Sequence, residues 1–207
     1  MLSVSILGIK ENMKENVSKL DNLDIDFFHV DIMDGKFVSN KTWKFRDIKS
    51  VLDGTNHKKD VHLMVKNIKK YVRKYSALNP HFITFHYEAT NNPLKIINYI
   101  KKKNISVGLS IKPDTDVSCI VDLLQYVDLV LVMSVEPGKG GQEFIPNSTN
   151  KINELKELRE KFNYDFLIEV DGGINNKTKN DVLGADILVV GSYITGNDYE
   201  EKIKEFK

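Results

Sequence analysis

Apolar positions along this chain come in short unbroken blocks rather than strict alternation. Eight blocks rich in β-branched and aromatic residues occupy positions 2–7, 25–31, 60–65, 81–86, 105–111, 127–135, 166–171 and 186–192. Blocks of this kind predict strands buried on both faces, the habit of parallel sheets. Polar segments between them carry apolar residues at helical spacing. Residues 92–103 set Leu94, Ile97 and Ile100 on one stripe, with lysines in the last turn, where the helix dipole favours positive charge. Asp114 and Thr115 open a segment bearing Val117, Ile120, Val121 and Leu124. Residues 148–162 place Ile152, Leu155 and Leu158 three to four apart, and 197–206 predict a short final helix.

Strand starts recur regularly, apart from wider gaps after the second and sixth, and no Pro- or Ser-rich linker interrupts them. The fold expected is α/β: one (β/α)8 TIM barrel domain over residues 1–207, with a parallel eight-stranded core. An open doubly wound sheet is the alternative. Against it, the first strand lacks a Gly-x-Gly-x-x-Gly turn, and eight alternations exceed what such a sheet needs.

Composition narrows the function classes. With 207 residues, 41% hydrophobic and 29% charged, the chain can bury a core without disulfides or a structural metal. Thirty basic residues against 29 acidic ones leave a net charge of +1, which excludes a strongly basic nucleic-acid binder and an acidic tail. Nor do aromatic residues interleave with the basic ones as in a nucleic-acid platform. Cys119 is the single cysteine, so no internal bridge forms, and a reducing compartment is expected. No block is long enough to span a membrane, and the first residues lack a secretory pattern. The expectation is a soluble cytoplasmic protein.

In such a barrel, chemistry belongs at the carboxyl ends of the strands. His29 and Asp31 close the second predicted strand, His62 lies in the third, His86 closes the fourth and Asp171 closes the seventh. Ser5 falls in the second half of the first strand. Residues i and i+2 share a face, so His29, Asp31 and Met33 point the same way. Ionisable groups on a buried face are costly unless paired or coordinated. His29, Asp31, His62 and Asp171 make a sulfur-free set suited to Zn2+, Fe2+, Mn2+ or Co2+. A lone strand-end histidine is more often a hydrogen-bonded core residue, but four such groups converging from three strands weigh against that. His57 and His81, at amino ends of strands, are read as structural, and His86 stands open between supporting the site and packing.

Glycines gather on the same rim. Gly138, Lys139, Gly140 and Gly141 follow the sixth strand, Gly172 and Gly173 the seventh, and Gly191 with Ser192 closes the eighth. One glycine pair merely permits a tight turn; three such loops side by side offer backbone N–H groups to a phosphate. Residues 171–175 read as strand, tight turn and the capped start of a helix, whose N-terminus would favour the anion. Met33, Met64 and Met133 also fall near carboxyl ends; methionine usually fills core gaps, and beside a metal it could cover a planar intermediate. Trp43 and the lysine-rich helix faces are read as surface and packing.

Taken in order, the segments HVDIMDGKFVSN, DVHLMV, FHYEAT, GLSIKPDT, LVLVMSVEPGKGGQEF, IEVDGGI and VVGS closely resemble the ribulose-phosphate 3-epimerase family, from Ser5 to Ser192. The resemblance implies interconversion of D-ribulose 5-phosphate and D-xylulose 5-phosphate through a 2,3-enediolate. It implies one divalent ion, Zn2+ foremost, on His29, Asp31, His62 and Asp171, with Asp31 and Asp171 as the acid/base pair. Ser5 and His62 would contact the sugar. Gly138, Lys139, Gly140, Gly141, Gly172, Gly173, Gly191 and Ser192 would hold the phosphate end, and Met33, Met64 and Met133 would border the reacting carbons. A homo-oligomer acting on a small sugar phosphate, with no nucleic-acid or membrane partner, is also implied. Lys36, Ser39, Lys139 and Asp114 depart from residues common in the family, and none of the four is an implied ligand or acid/base group. Three alternatives stand beside this reading. They are a D-allulose 6-phosphate 3-epimerase, a catalytically silent barrel, and a lyase or decarboxylase of the same fold, whose Asp-x-Lys-x-x-Asp lysine is missing at residues 31–34.

Overall fold

In the computed structural model, which describes every residue except Lys10 and Asn197, eight parallel strands close into a barrel in the order in which they occur along the chain. They are β1 (Leu2–Ser5), β2 (Phe27–Met33), β3 (Lys58–Met64), β4 (Phe82–His86), β5 (Ser106–Ile111), β6 (Leu129–Met133), β7 (Leu167–Asp171) and β8 (Ile187–Val190). The helices outside are α1 (Met13–Leu20), α2 (Phe45–Leu52), α3 (Ile68–Tyr75), α4 (Pro93–Lys101), α5 (Ser148–Phe162), α6 (Ser192–Thr195) and α7 (Tyr199–Lys204). The expected TIM barrel is therefore the fold observed. Among the described residues no helix is long and apolar enough to cross a membrane.

Strand alternation sorts the side chains into two compartments. Val4, Phe28, Val30, Ile32, Val61, Leu63, Ile83 and Phe85 turn outward and pack with helix residues such as Val17, Ile48, Val72 and Ile97 in one buried cluster. Phe27, Phe82, Leu129, Leu131 and Ile187 form a separate apolar cluster, the plug of the barrel interior. At the amino ends an acidic residue preceding one strand clamps its neighbour. Asp26 accepts from the N–H of Leu2, Asp128 from that of Val107, and Asp186 from that of Ile168.

Element boundaries differ from the expectation in ways that matter for the site. β2 continues to Met33, so His29 and Asp31 lie inside the strand rather than at its end. β1 stops at Ser5 and passes into a 3-10 turn, Ile6–Gly8, while β8 stops at Val190 and Gly191 precedes α6. No α-helix starts behind Asp171. The Asn175 side chain accepts from the N–H groups of Lys177 and Thr178 and holds a local turn instead, and only a 3-10 stretch, Lys179–Val182, follows. The segment opened by Asp114 is likewise a 3-10 helix, Val117–Tyr126, its β-branched residues being poor α-helix formers. The predicted helix 92–103 is realised as α4, whose first N–H groups are capped by Asn92 through Lys95. The start of the expected final helix at Asn197 lies outside the described residues, and α7 fills the remainder.

Candidate active site

β2 and β3 pair so that His29 lies beside Asp60, Asp31 beside His62 and Met33 beside Met64. Inward-facing residues of the two strands therefore rise in layers, with the methionines on top. Asp171 joins from β7, beside Met133 and Val189. Donor atoms of His29, Asp31, His62 and Asp171 all lie within 4.8 Å of one another. β2 and β7 are separated around the ring by β8 and β1, so the two aspartates approach from well-separated parts of the wall.

Asp31 accepts from the Ser5 hydroxyl at 2.9 Å, and its other oxygen lies 3.1 Å from His62 Nδ1 and 3.3 Å from His29 Nε2. Asp171 Oδ2 lies 3.9 Å from His29 Nε2 and 4.0 Å from His62 Nδ1. Behind the cluster, His29 Nδ1 donates to Asp60 Oδ2 at 2.5 Å. That hydrogen bond directs the other ring nitrogen at the cluster. His29 Nε2 is buried without a hydrogen-bond partner and faces Asp31 and Asp171. A lone pair aimed at two carboxylates is repulsive unless a proton or cation lies between them. In the protein alone, burial opposes charge on His29, but Asp31 and Asp60 outweigh it and push its pKa well above the ordinary value. Two imidazoles and two carboxylates with this orphaned nitrogen fit a borderline divalent cation.

The two aspartates differ. Burial opposes ionisation of Asp31, yet His29 and His62 override it and hold its carboxyl far below the usual range. Burial, reinforced by the charge on Asp31, pushes Asp171 up to about 6.

Above this floor lies a cavity of about 590 Å³, lined by Ser5, Asp31, Met33, Met64, Met133, Gly138, Lys139, Gly140, Gly141, Asp171, Gly172, Gly173, Gly191 and Ser192, among others. Of the ligand, acid/base and substrate-contact residues expected from sequence, His29 and His62 are missing from that lining and fully buried beneath it; His86 is absent from it and fully buried as well. Gly172 and Gly173 have φ of +124° and +65°, and a Cβ on either would lie 2.5 Å from a neighbouring atom, so glycine alone shapes this rim.

Sequence reasoning missed Asp60 and Glu169, both buried inside the barrel below the cluster. The signal was present, since Asp60 precedes His62 by two and Glu169 precedes Asp171 by two, which puts each on its partner's face. It also missed Glu88, which lies 3.4 Å from His86 Nδ1. Burial and the charge on Asp60 push the pKa of Glu169 well above the ordinary range.

A closed parallel barrel with ionisable groups gathered towards the carboxyl ends of its strands is the layout of a TIM-barrel enzyme. A structure of tryptophan synthase from Mycobacterium tuberculosis shares that fold, with a TM-score of 0.71 at 12% identity over 99% of this chain and 90% of that one. The chain belongs to the ribulose-phosphate 3-epimerase family, whose model matches residues 1–195. It is 41% identical to the ribulose-phosphate 3-epimerase of Methanocaldococcus jannaschii, over 90% of this chain and 80% of that protein. To the Helicobacter pylori protein of the same name it is 40% identical, over 82% of this chain and 79% of the relative.

Proposed function

We propose that the chain interconverts D-ribulose 5-phosphate and D-xylulose 5-phosphate by passing the C3 proton between Asp31 and Asp171. One divalent cation, Zn2+ foremost, would be held by His29, Asp31, His62 and Asp171. The observation that carries this is the convergence of two carboxylates from β2 and β7 on one buried His/Asp cluster at the floor of the cavity.

Epimerisation through a planar enediolate needs an acid/base group on each face. When bound, the cation supplies Lewis-acid stabilisation of the developing negative charge. In this scheme Asp31 takes the C3 proton on one face, and Asp171, which reaches the cluster from the other part of the wall, gives a proton to the opposite face. One turnover leaves Asp31 protonated and Asp171 ionised, the starting state for the reverse reaction. Ser5 orients Asp31 by its hydrogen bond. The buried methionines Met33, Met64 and Met133 keep water from the reacting carbons. Backbone N–H groups of Gly138, Gly140, Gly141, Gly172, Gly173, Gly191 and Ser192 hold the phosphate end, with Lys139 exposed on the same rim. Binding energy from that remote end positions C3 for the chemical step. That both relatives are ribulose-phosphate 3-epimerases favours the pentose phosphate over a hexose phosphate.

Asp31→Asn and Asp171→Asn should each lower turnover by at least ~100-fold, with metal content measured on the same samples. In D2O the wild-type product should carry deuterium at C3. Near-normal turnover of either metal-loaded variant overturns the two-face scheme. A higher kcat/KM for D-allulose 6-phosphate than for D-ribulose 5-phosphate overturns the substrate assignment.

A further inference from the structure

We propose that Glu88, acting through His86, fixes which ring nitrogen of His62 carries its proton, and so presents His62 Nδ1 to the cation site as a lone pair. The inference rests on the reading of His62 as a metal ligand and makes His86 and Glu88 positioning residues for it.

His62 Nε2 and His86 Nε2 lie 2.8 Å apart, both rings fully buried. Two imidazole nitrogens at that distance share one hydrogen, and the pair alone does not decide which donates. At the other end of His62 the Asp31 carboxylate stands 3.1 Å from Nδ1, where a bound cation would take the lone pair, so the far side of His86 decides. His86 Nδ1 and Glu88 Oε2 face each other at 3.4 Å, within ion-pair distance, and both are buried atoms without a hydrogen-bond partner. An ionised carboxylate only accepts. Burial opposes ionisation of Glu88, but the facing His86 ring and hydrogen bonds from the Lys112 N–H and the Thr115 hydroxyl outweigh it and bring its pKa to about 2. The hydrogen of the neutral His86 ring therefore sits on Nδ1, leaving Nε2 as acceptor, and His62 Nε2 must be the donor. In its own neutral form His62 then keeps its lone pair at Nδ1, which faces Asp31 at 3.1 Å and Asp171 at 4.0 Å.

The acceptor at the end of this line is held still. Glu88 Oε1 accepts from the N–H of Lys112 at 2.8 Å and from the Thr115 hydroxyl at 2.5 Å. Lys151 on α5, almost wholly buried, donates to the carbonyls of Lys112, Pro113 and Thr115 at 3.0, 2.6 and 2.6 Å. The His86 ring is gripped between His62 and Phe37, with centroid distances of 4.9 and 4.8 Å. His29 has the corresponding support in Asp60. Each imidazole of the cluster thus has a carboxylate behind it, directly for His29 and through a second ring for His62. A packing role for His86 would need no carboxylate at its far nitrogen.

Two measurements test this. In the metal-free wild-type chain labelled with 15N-histidine, two-bond proton–nitrogen correlations should show His86 protonated at Nδ1 and not at Nε2, and His62 protonated at Nε2. Glu88→Gln, whose amide can donate as well as accept, should weaken that preference. A proton on His86 Nε2 in the wild type overturns the proposal. By chelator competition, His86→Phe should weaken Zn2+ binding by about 10–100-fold, whereas His86→Gln, which retains a carbonyl acceptor for His62, should stay closer to wild type. Wild-type affinity in His86→Phe overturns the positioning role. A wild type that binds no divalent cation, yet shows the stated ring protonation, overturns the metal reading alone.

Discussion

Asp31 and Asp171 are chemically identical side chains pushed in opposite directions by their neighbours, one by imidazoles at hydrogen-bond distance and the other by burial and its partner's charge. In the proposed scheme, environment rather than residue type distinguishes the base from the acid. The same principle makes Glu88 a pH-sensitive contributor to stability. Its folded pKa of about 2 lies below the ordinary 4.5, so its contribution is fully present above about pH 4.5 and is lost as pH falls towards 2. Urea midpoints recorded between pH 6 and 3 should fall less steeply in Glu88→Gln than in wild type; parallel curves would count against the assignment. At Gly172, φ of +124° and a Cβ position 2.5 Å from Val135 Cγ2 leave no room for a side chain. Gly172→Ala should therefore cost about 1–3 kcal/mol in urea unfolding, the usual toll of a strained backbone site. It should also raise KM for the sugar phosphate more than it lowers kcat.

Among the elements, the strands carry the site and the loops shape its mouth. Apolar blocks located all eight strands, because a strand buried on both faces must be apolar on both faces outside its functional positions. Their ends were less legible. β2 runs past Asp31 because pairing with β3 continues through Met33 and Met64, a partnership that a local pattern does not contain. The turn after β7 replaced a helix because Asn175 and Thr178 satisfy backbone groups locally. At the opposite end of the barrel the acidic clamps tie neighbouring strands together. Asp128→Ala would leave the buried Val107 N–H without its acceptor, and we expect a loss of about 1–2 kcal/mol, read as a lower urea midpoint at unchanged slope. An unchanged midpoint would show that water replaces the carboxylate at no cost.

For the molecule as a whole, the proposed cation site would be a store of stability as well as of chemistry, since its donors come from β2, β3 and β7 and are assembled only in the folded barrel. A ligand that binds the folded state alone, at a free concentration of 100 times its Kd, stabilises by about 2.7 kcal/mol. At roughly 2–4 °C per kcal/mol for a chain of this size, Zn2+ should raise Tm by about 5–10 °C, and a chelator should reverse the shift. Asp171→Asn should shrink the increment, whereas Asp128→Ala, far from the site, should lower Tm with and without metal alike. An equal zinc increment in Asp171→Asn and wild type would remove Asp171 from the ligand set.

The sequence by itself determined the eight strands, the barrel and the candidates for chemistry, because burial on both faces and i, i+2 spacing are local properties of a chain. It placed His29 with Asp31 for the same reason. Only the closed barrel decided that Asp171 lies within reach of them, that Asp60 stands behind His29, and that His86 and Glu88 stand behind His62. Those are contacts between strands and loops far apart in sequence. Their distances follow from ring closure and strand register, which no single segment encodes.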